Sequence, residues 1–121
     1  MMKWVRYLCL IAAALAVPNV RTSAGLVTES FVTGNYLREQ CTGDDIGQAY
    51  CLGYVVAIAD ALSAPGNTGL DGWRACLRPK QTAGHLKEVV TQFLQNHPEK
   101  RDFAAVSLIA EAYAVQFPCA H

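Results

Sequence analysis

Four of the chain's five cysteines stand far apart along the sequence, and they constrain the fold more than any other feature. An even number of cysteines in a small exported domain is typical of a disulfide framework. A zinc site is the alternative, but no two of these cysteines form the close C-x-x-C pair that such sites commonly use. The sequence therefore favours two disulfides over a metal site, formed by Cys41, Cys51, Cys76 and Cys119.

Export is indicated by the first 24 residues. Lys3 and Arg6 give a positive n-region, residues 7–17 an apolar run, and residues 22–24 a small-residue cleavage site. A membrane-spanning helix needs about 20 apolar residues, roughly twice the length of this run. We therefore expect residues 1–24 to be a cleaved signal peptide and residues 25–121 to form one domain, with no membrane insertion after cleavage.

The charge of the expected domain argues against nucleic acid as a partner. Residues 25–121 carry seven Lys and Arg against ten Asp and Glu, so the net charge is minus 3. A nucleic-acid-binding domain would be expected to concentrate positive charge on one face. We therefore expect a partner that is not a nucleic acid.

Helical periodicity dominates the rest of the chain and predicts an all-α fold. Helices are expected at about residues 31–40, from near Cys51 to about residue 62, at 82–96 and at 102–117. Thr82 and Asp102 are the expected N-caps of the last two helices. These four helices, joined in an up-down sense, would form a small bundle with a long loop between helices 2 and 3.

The expected helix order also predicts how the cysteines pair. Cys41 at the end of the first helix and Cys51 at the start of the second would lie at one end of an up-down bundle. Cys76 before the third helix and Cys119 after the fourth would lie at the other end. We therefore expect the pairs Cys41–Cys51 and Cys76–Cys119.

The stretch CLGYVVAIADAL, residues 51–62, carries two stripes at helical spacing. The core-facing stripe contains Cys51, Val55, Ile58 and Leu62. The other contains small residues and one acid, and we interpret it as a groove in which a neighbouring helix packs closely. Asp60 would then be a structural polar residue paired with a helix N-terminus or an arginine, and not a catalytic acid, because no second acid or base accompanies it. This second stripe consists of Gly53, Ala57, Asp60 and Ala64.

The connection at residues 63–81 is much longer than the roughly 2 to 8 residues usual between bundle helices. Trp and Arg are frequent interface hot spots, and a loop constrained by a disulfide loses less entropy on binding. Two interpretations stay open. Leu70 and Trp73 fold back onto the core, or the tip presents Asp71, Trp73 and Arg74 to a partner.

The sequence lacks the constellations that indicate an enzyme. With the four cysteines paired, no thiolate remains as a nucleophile. His85 and His97 stand twelve residues apart on one expected helix, which separates them by about 18 Å along its axis. Neither a G-x-S-x-G motif nor a phosphate-binding glycine loop occurs. We therefore expect a protein without catalytic residues, metal or cofactor.

Five segments can be compared together: TGNYLREQC at 33–41, YCLGYVVAIADAL at 50–62, CLRP at 76–79, TAGHLKEVVTQFLQNHPE at 82–99 and FPC at 117–119. Their order and spacing resemble the Rap/Tai family of immunity proteins associated with type VI secretion in Gram-negative bacteria. The resemblance covers nearly all of residues 25–121 and includes the four cysteines.

This resemblance implies a function. Members of the family are small helical proteins of the periplasm, several of them dimeric, that bind and block a peptidoglycan amidase delivered by a neighbouring cell. By this resemblance the chain would occupy the cleft of such an effector and keep the cell-wall peptide from its catalytic cysteine. The partner would be that amidase, and the chain could also form a homodimer. The loop with Asp71, Trp73 and Arg74 is the element we expect to enter the cleft, although it lies outside the matched motifs.

A second class of function stays open on the sequence alone. Periplasmic acid-stress chaperones are also small, helical and disulfide-bonded. Such an activity needs carboxylates that are ionised in the native state to become protonated at about pH 2 to 4 and loosen the fold. Asp60 would be the trigger. Suppression of aggregation only at low pH would favour this function over amidase binding.

Overall fold

A computed structural model describes residues 30–77 and 81–120, so the expected signal peptide and its cleavage site lie outside the described residues. Four helices pack together: α1 at Gly34–Cys41, α2 at Asp45–Ser63, α3 at Ala83–Asn96 and α4 at Ala105–Gln116. A 3-10 turn at Pro98–Lys100 precedes α4. The all-α class, the four helices, the two disulfides and the long loop after α2 are as predicted.

Each of the first three helices has an N-cap residue. Its side-chain oxygen accepts a hydrogen bond from a first-turn backbone N–H that has no partner within the helix. Thr82 Oγ1 accepts from the N–H of His85 at 3.1 Å, which confirms Thr82 as the N-cap of α3. Thr33 caps α1 in the same way through the N–H of Tyr36. Asp44 caps α2 through its Oδ1, at 2.9 Å from the N of Gly47.

Two predicted helix starts are wrong. Because Asp44 is a cap, α2 begins at Asp45, and Cys51 lies inside the helix instead of at its start. Asp102 is not the N-cap of α4, because its carboxylate accepts a hydrogen bond from the Asn35 side chain at 2.8 Å. The helix begins three residues later, at Ala105.

The core lies between the four helices, and α2 contacts each of the other three. The predicted core stripe of α2 is confirmed at Cys51, Val55 and Leu62, whereas Ile58 is only partly buried. Phe103, which falls inside the helix expected at 102–117, instead precedes α4 and is 60% exposed. The buried residues of α4 are instead spread around the helix: Ala105, Leu108, Ile109, Ala110, Ala112 and Tyr113.

The predicted packing groove on α2 is not covered by another part of the described chain. Its four residues are exposed, and a Cβ added at Gly53 would meet nothing within 4 Å. Asp60 therefore faces solvent and needs no helix N-terminus or arginine to satisfy it. Its carboxylate makes no hydrogen bond or ion pair with the described residues, so the structure gives Asp60 no contact whose loss at low pH would loosen the fold.

Both predicted disulfides are confirmed. Cys41–Cys51 joins the last residue of α1 to the second turn of α2 and is buried. Cys76–Cys119 joins the long loop to the segment after α4, where the N–H of Cys76 also donates to the carbonyl of Phe117 at 2.8 Å. The four sulfurs are bonded to one another, which leaves none of them as a thiolate for zinc or for nucleophilic attack.

Candidate partner-binding surface

The tip of the long loop is a two-residue hairpin. The N–H of Leu70 donates to the carbonyl of Trp73, and the N–H of Trp73 donates back to the carbonyl of Leu70, both at 2.9 Å. The two residues between them are Asp71 and Gly72, with φ of +50° and +82°. Two positive φ values in a row, at an Asp-Gly pair, are typical of a type I′ turn. The backbone of the tip is therefore held by its own hydrogen bonds.

The residues that lead into the hairpin are held as well. Asn67 Oδ1 accepts from the N–H of Gly69 at 2.6 Å, and the N–H of Asn67 donates to the carbonyl of Ala64 at 3.0 Å. Gly69 has φ +116°, and a Cβ at this position would lie 2.6 Å from the Trp73 carbonyl oxygen. Only glycine fits there without a shift of the backbone. The loop thus follows one defined path from α2 to its tip.

The hairpin divides its side chains between the core and the solvent. Leu70 is partly buried against the core, and Ala75, just after the hairpin, is 8% exposed. Trp73 remains 37% exposed, and Asp71 and Arg74 are exposed. The inward interpretation therefore holds for Leu70 but not for Trp73. The three residues nominated from the sequence lie together on one short, exposed turn.

Two shallow depressions lie beside the base of the hairpin, on either side of Pro118. One, of about 330 Å³, is lined by Arg74, Ala114, Pro118, Cys119 and Ala120. The other, of about 340 Å³, is lined by Cys76, Gln81, His85, Gln116, Phe117 and Pro118. Cys119 lines the first depression and Cys76 the second, so their disulfide connects the two. The hairpin and the end of the chain therefore form one continuous, covalently tied surface.

A second exposed surface, which we call the outer face of α2, has an unusual composition. Along it lie Ile46, which is 82% exposed, and Tyr50, which is 39% exposed, followed by the small residues Gly53 and Ala57.

The ring of Tyr50 contacts that of Tyr36 edge-on at 5.7 Å and stacks on that of Tyr54 at 6.0 Å. Burial raises the pKa of Tyr54, and the neighbouring Tyr50 adds to this. Asp60 is the only charged residue on this face between residues 46 and 64.

The first part of this outer face lies before the helix start expected from the sequence. Because α2 was expected to begin near Cys51, Ile46 and Tyr50 were placed before the helix. Tyr50 and Ile46 stand three and seven residues before Gly53, so helical spacing places them on the same face as Gly53 and Ala57. The Asp44–Asp45 pair was the available signal for an earlier helix start.

The two histidines that the structure describes lie in separate surroundings. His85 is exposed near the start of α3 and contacts the ring edge of Phe117 at 6.2 Å between centroids. The ring of His97, after α3, lies tilted against that of Phe93 with the centroids 4.4 Å apart, and its Nδ1 lies 3.0 Å from a carboxylate oxygen of Glu99. Two hydrogen bonds lower the pKa of Glu99. The larger effect comes from the backbone N–H of Glu99 and the smaller one from the His97 side chain. In residues 30–77 and 81–120, no three His, Cys, Asp or Glu side chains are grouped to hold a metal.

Comparison with known proteins gives a match to a protein family. A family model described as Rap1a immunity proteins covers residues 33–119. This span contains the four helices, both disulfides and the hairpin. No curated protein and no solved structure matches the chain significantly.

Proposed function

The chain belongs to the Rap1a immunity protein family, and we propose that it protects its cell by blocking a peptidoglycan amidase effector of type VI secretion. Membership of the family implies a protein effector as the partner. The amidase as target, and the obstruction of its cleft as the mode of action, are the specific parts of the proposal. The observation that carries them is the exposed, backbone-locked hairpin with Trp73 and Arg74.

The hairpin suits insertion into a concave site. A two-residue turn is narrow, and its hydrogen bonds and the nearby disulfide fix its shape before binding, so little loop entropy is lost on association. The exposed part of the Trp73 ring supplies apolar area to bury, and Arg74 supplies a charged group. These are the two side chains most often responsible for the affinity of an interface.

We propose that the protein acts in the periplasm after removal of residues 1–24. The amidase substrate lies in that compartment, and the inhibitor must meet the enzyme there. Two disulfides in a small domain also fit an oxidising compartment. Detection of the mature chain in an osmotic-shock fraction, with a new N-terminus at residue 25, is the expected result.

The proposed action is obstruction without chemistry on the substrate. The cysteine sulfurs are joined in disulfides, and His85 and His97 have no shared catalytic partner among the described residues. Inhibition should therefore be stoichiometric. One equivalent of the protein should abolish amidase activity, and dissociation should restore it.

The test uses a purified type VI peptidoglycan amidase effector, with affinity measured by calorimetry at neutral pH. Trp73→Ala should weaken binding by at least about tenfold, since loss of an interface hot spot costs about 2 kcal/mol or more. The matched control is Phe103→Ala, another exposed aromatic residue, which should leave the affinity unchanged. Far-UV circular dichroism and thermal melting confirm that both variants fold.

The outcomes are separable. If the wild-type protein does not bind the amidase, the proposed function is wrong. If Trp73→Ala and Phe103→Ala bind equally well, the protein can still be an inhibitor, but the hairpin is not its binding element.

We also propose that a second copy of the chain packs on the outer face of α2. Gly53 and Ala57 allow two helices to approach closely, and Ile46 and Tyr50 add apolar area next to them. Sedimentation velocity should show a dimer that Ala57→Glu converts to a monomer. Gln92→Glu, which adds the same charge to the exposed surface of α3, should remain dimeric. A monomeric wild-type protein would rule out this interface.

A further inference from the structure

We propose that the depression beside the hairpin, lined by Arg74, Ala114 and Pro118, receives an acidic side chain of the effector, whose carboxylate pairs with the Arg74 guanidinium. This inference rests on the proposed function and specifies the chemistry of the partner. It assigns Arg74 a role different from that of Trp73. Trp73 supplies apolar area, whereas Arg74 would select the charge of the group that it meets.

Arg74 is available for such a pair. Its side chain is exposed, and its guanidinium has no hydrogen-bond or ion-pair partner in the part of the chain that the structure describes. The guanidinium of Arg101, by contrast, donates hydrogen bonds to the backbone carbonyls of Leu94 and Gln95. A guanidinium presents a planar fork of donors that matches a carboxylate with two parallel hydrogen bonds. A carboxylate partner would therefore satisfy a group that is otherwise left to solvent.

The remaining walls of the depression suit the aliphatic part of an acidic side chain. Ala114 from α4 and Pro118 and Ala120 from the end of the chain are small or apolar, and they stand beside the charged group. A volume of about 330 Å³ is at the lower end of the range for ligand pockets. It fits one inserted side chain better than an extended ligand.

Both walls are fixed before a partner arrives. Arg74 lies two residues before Cys76, which is bonded to Cys119 in the opposite wall. The hydrogen bond from the N–H of Cys76 to the carbonyl of Phe117 adds a second connection. Preorganisation of this kind increases affinity because less conformational entropy is lost on binding.

The distribution of charge along the chain supports an acidic partner at this position. Residues 39–71 contain five acids and no Lys or Arg, whereas residues 72–87 contain four Lys or Arg and no acid. The change of sign falls inside the hairpin, between Asp71 and Arg74. A chain that is acidic elsewhere repels an acidic protein surface, so such a surface would be directed towards this stretch.

The first experiment compares charge variants in binding to the same purified amidase effector. Arg74→Gln should weaken binding about 10- to 100-fold, and Arg74→Lys should retain an intermediate affinity because it keeps the charge but loses the fork. The matched control is Gln92→Glu on α3, which changes the net charge by the same amount and should bind as the wild type does. Raising the salt concentration should weaken wild-type binding more than that of Arg74→Gln.

The second experiment does not depend on the amidase. The peptide acetyl-Gly-Leu-Glu-Gly-amide is titrated into isotope-labelled protein at millimolar concentration, and acetyl-Gly-Leu-Gln-Gly-amide serves as the neutral match. The Glu peptide should shift the amide resonances of Ala114 and Ala120, and the Gln peptide should not. Arg74→Gln should abolish the shifts. Equal shifts with both peptides, or none at Ala114 and Ala120, would overturn the inference.

The two proposals fail in different ways. If the wild-type protein binds the amidase and Trp73→Ala weakens binding, but Arg74→Gln does not, only the acidic-side-chain inference is wrong. If the wild-type protein does not bind the amidase, the proposed function falls, and the inference falls with it.

Discussion

The hydroxyl of Tyr113 on α4 donates a hydrogen bond to the backbone carbonyl of Val55 on α2, at 2.8 Å. Both residues are fully buried, and they lie 58 positions apart in the chain. A buried hydroxyl is costly unless it is hydrogen-bonded, so this contact favours one rotation of α4 against α2 over its alternatives. Tyr113 is therefore a polar link inside an otherwise apolar core.

Replacement of Tyr113 by phenylalanine should lower the free energy of unfolding by about 1 kcal/mol, the net value of one such hydrogen bond. The ring and its packing are retained, so the fold should not change. Urea denaturation at neutral pH measures the effect. Tyr36→Phe, at a residue 45% exposed, is the control and should change the free energy by less than about 0.5 kcal/mol. Equal effects at the two positions would contradict a special role for the bond to Val55.

The stability of the protein should fall at alkaline pH. Burial raises the pKa of Tyr113, so the folded chain keeps this proton under conditions in which the unfolded chain, with a tyrosine pKa of about 10, releases it. The contribution of Tyr113 is therefore constant below about pH 10 and declines as the pH rises above that value. Urea denaturation between pH 9 and 11 should show a shallower decline for Tyr113→Phe than for the wild type. Parallel declines would show that this group is not responsible.

The two disulfides should differ in their effect on stability. Cys76–Cys119 closes a sequence separation of 43 residues and Cys41–Cys51 one of 10. The chain-entropy account gives about 4 kcal/mol for the longer loop and about 3 kcal/mol for the shorter one. Double Cys→Ala variants, measured by denaturation without reductant, should follow that order. A larger loss from the Cys41–Cys51 pair would mean that its packing in the core outweighs loop entropy.

The two helical glycines at positions 34 and 53 should respond to alanine in opposite directions. A Cβ at Gly34 would lie 2.5 Å from Leu108 Cδ1 and 2.9 Å from the Arg101 carbonyl oxygen, so Gly34→Ala should cost about 1 to 3 kcal/mol. A Cβ at Gly53 meets nothing within 4 Å, and Gly53→Ala should raise stability by up to about 1 kcal/mol. Thermal unfolding at low protein concentration, where the monomer dominates, measures both. A gain at Gly34 would refute the close packing of α1 against α4.

Local patterns explain why much of this fold could be predicted from the sequence. The spacing of apolar residues in α3, the cap at Thr82 and the order of the cysteines are each readable within a short stretch of chain. The start of α4 is not. Aspartate is favoured at N-caps, but the carboxylate of Asp102 accepts a hydrogen bond from Asn35, which lies 67 positions earlier in the chain. A contact between residues so far apart overrides the local N-cap preference, and the sequence around Asp102 does not indicate that it forms.

The candidate surface was predictable in its members but not in its shape. Trp73 and Arg74 could be nominated because the connection after α2 is too long to be a simple link. The Asp71–Gly72 pair is also a strong sequence signal for a two-residue hairpin turn. The depression beside Arg74 could not be predicted, since it needs Ala114 and Ala120 brought to the hairpin by the fold.

The hydrogen bonds that shape the hairpin join main-chain atoms of Leu70 and Trp73, and the turn depends on backbone angles at Gly69, Asp71 and Gly72. The path of this loop is therefore indifferent to which side chains occupy positions 73 and 74. If the proposed contacts of the hairpin hold, the family can exchange the residues at these two positions to match a different effector while keeping the same scaffold, much as an antibody varies its loops on a constant framework. The same independence makes these two positions suitable for randomisation when new binding proteins are selected on this scaffold.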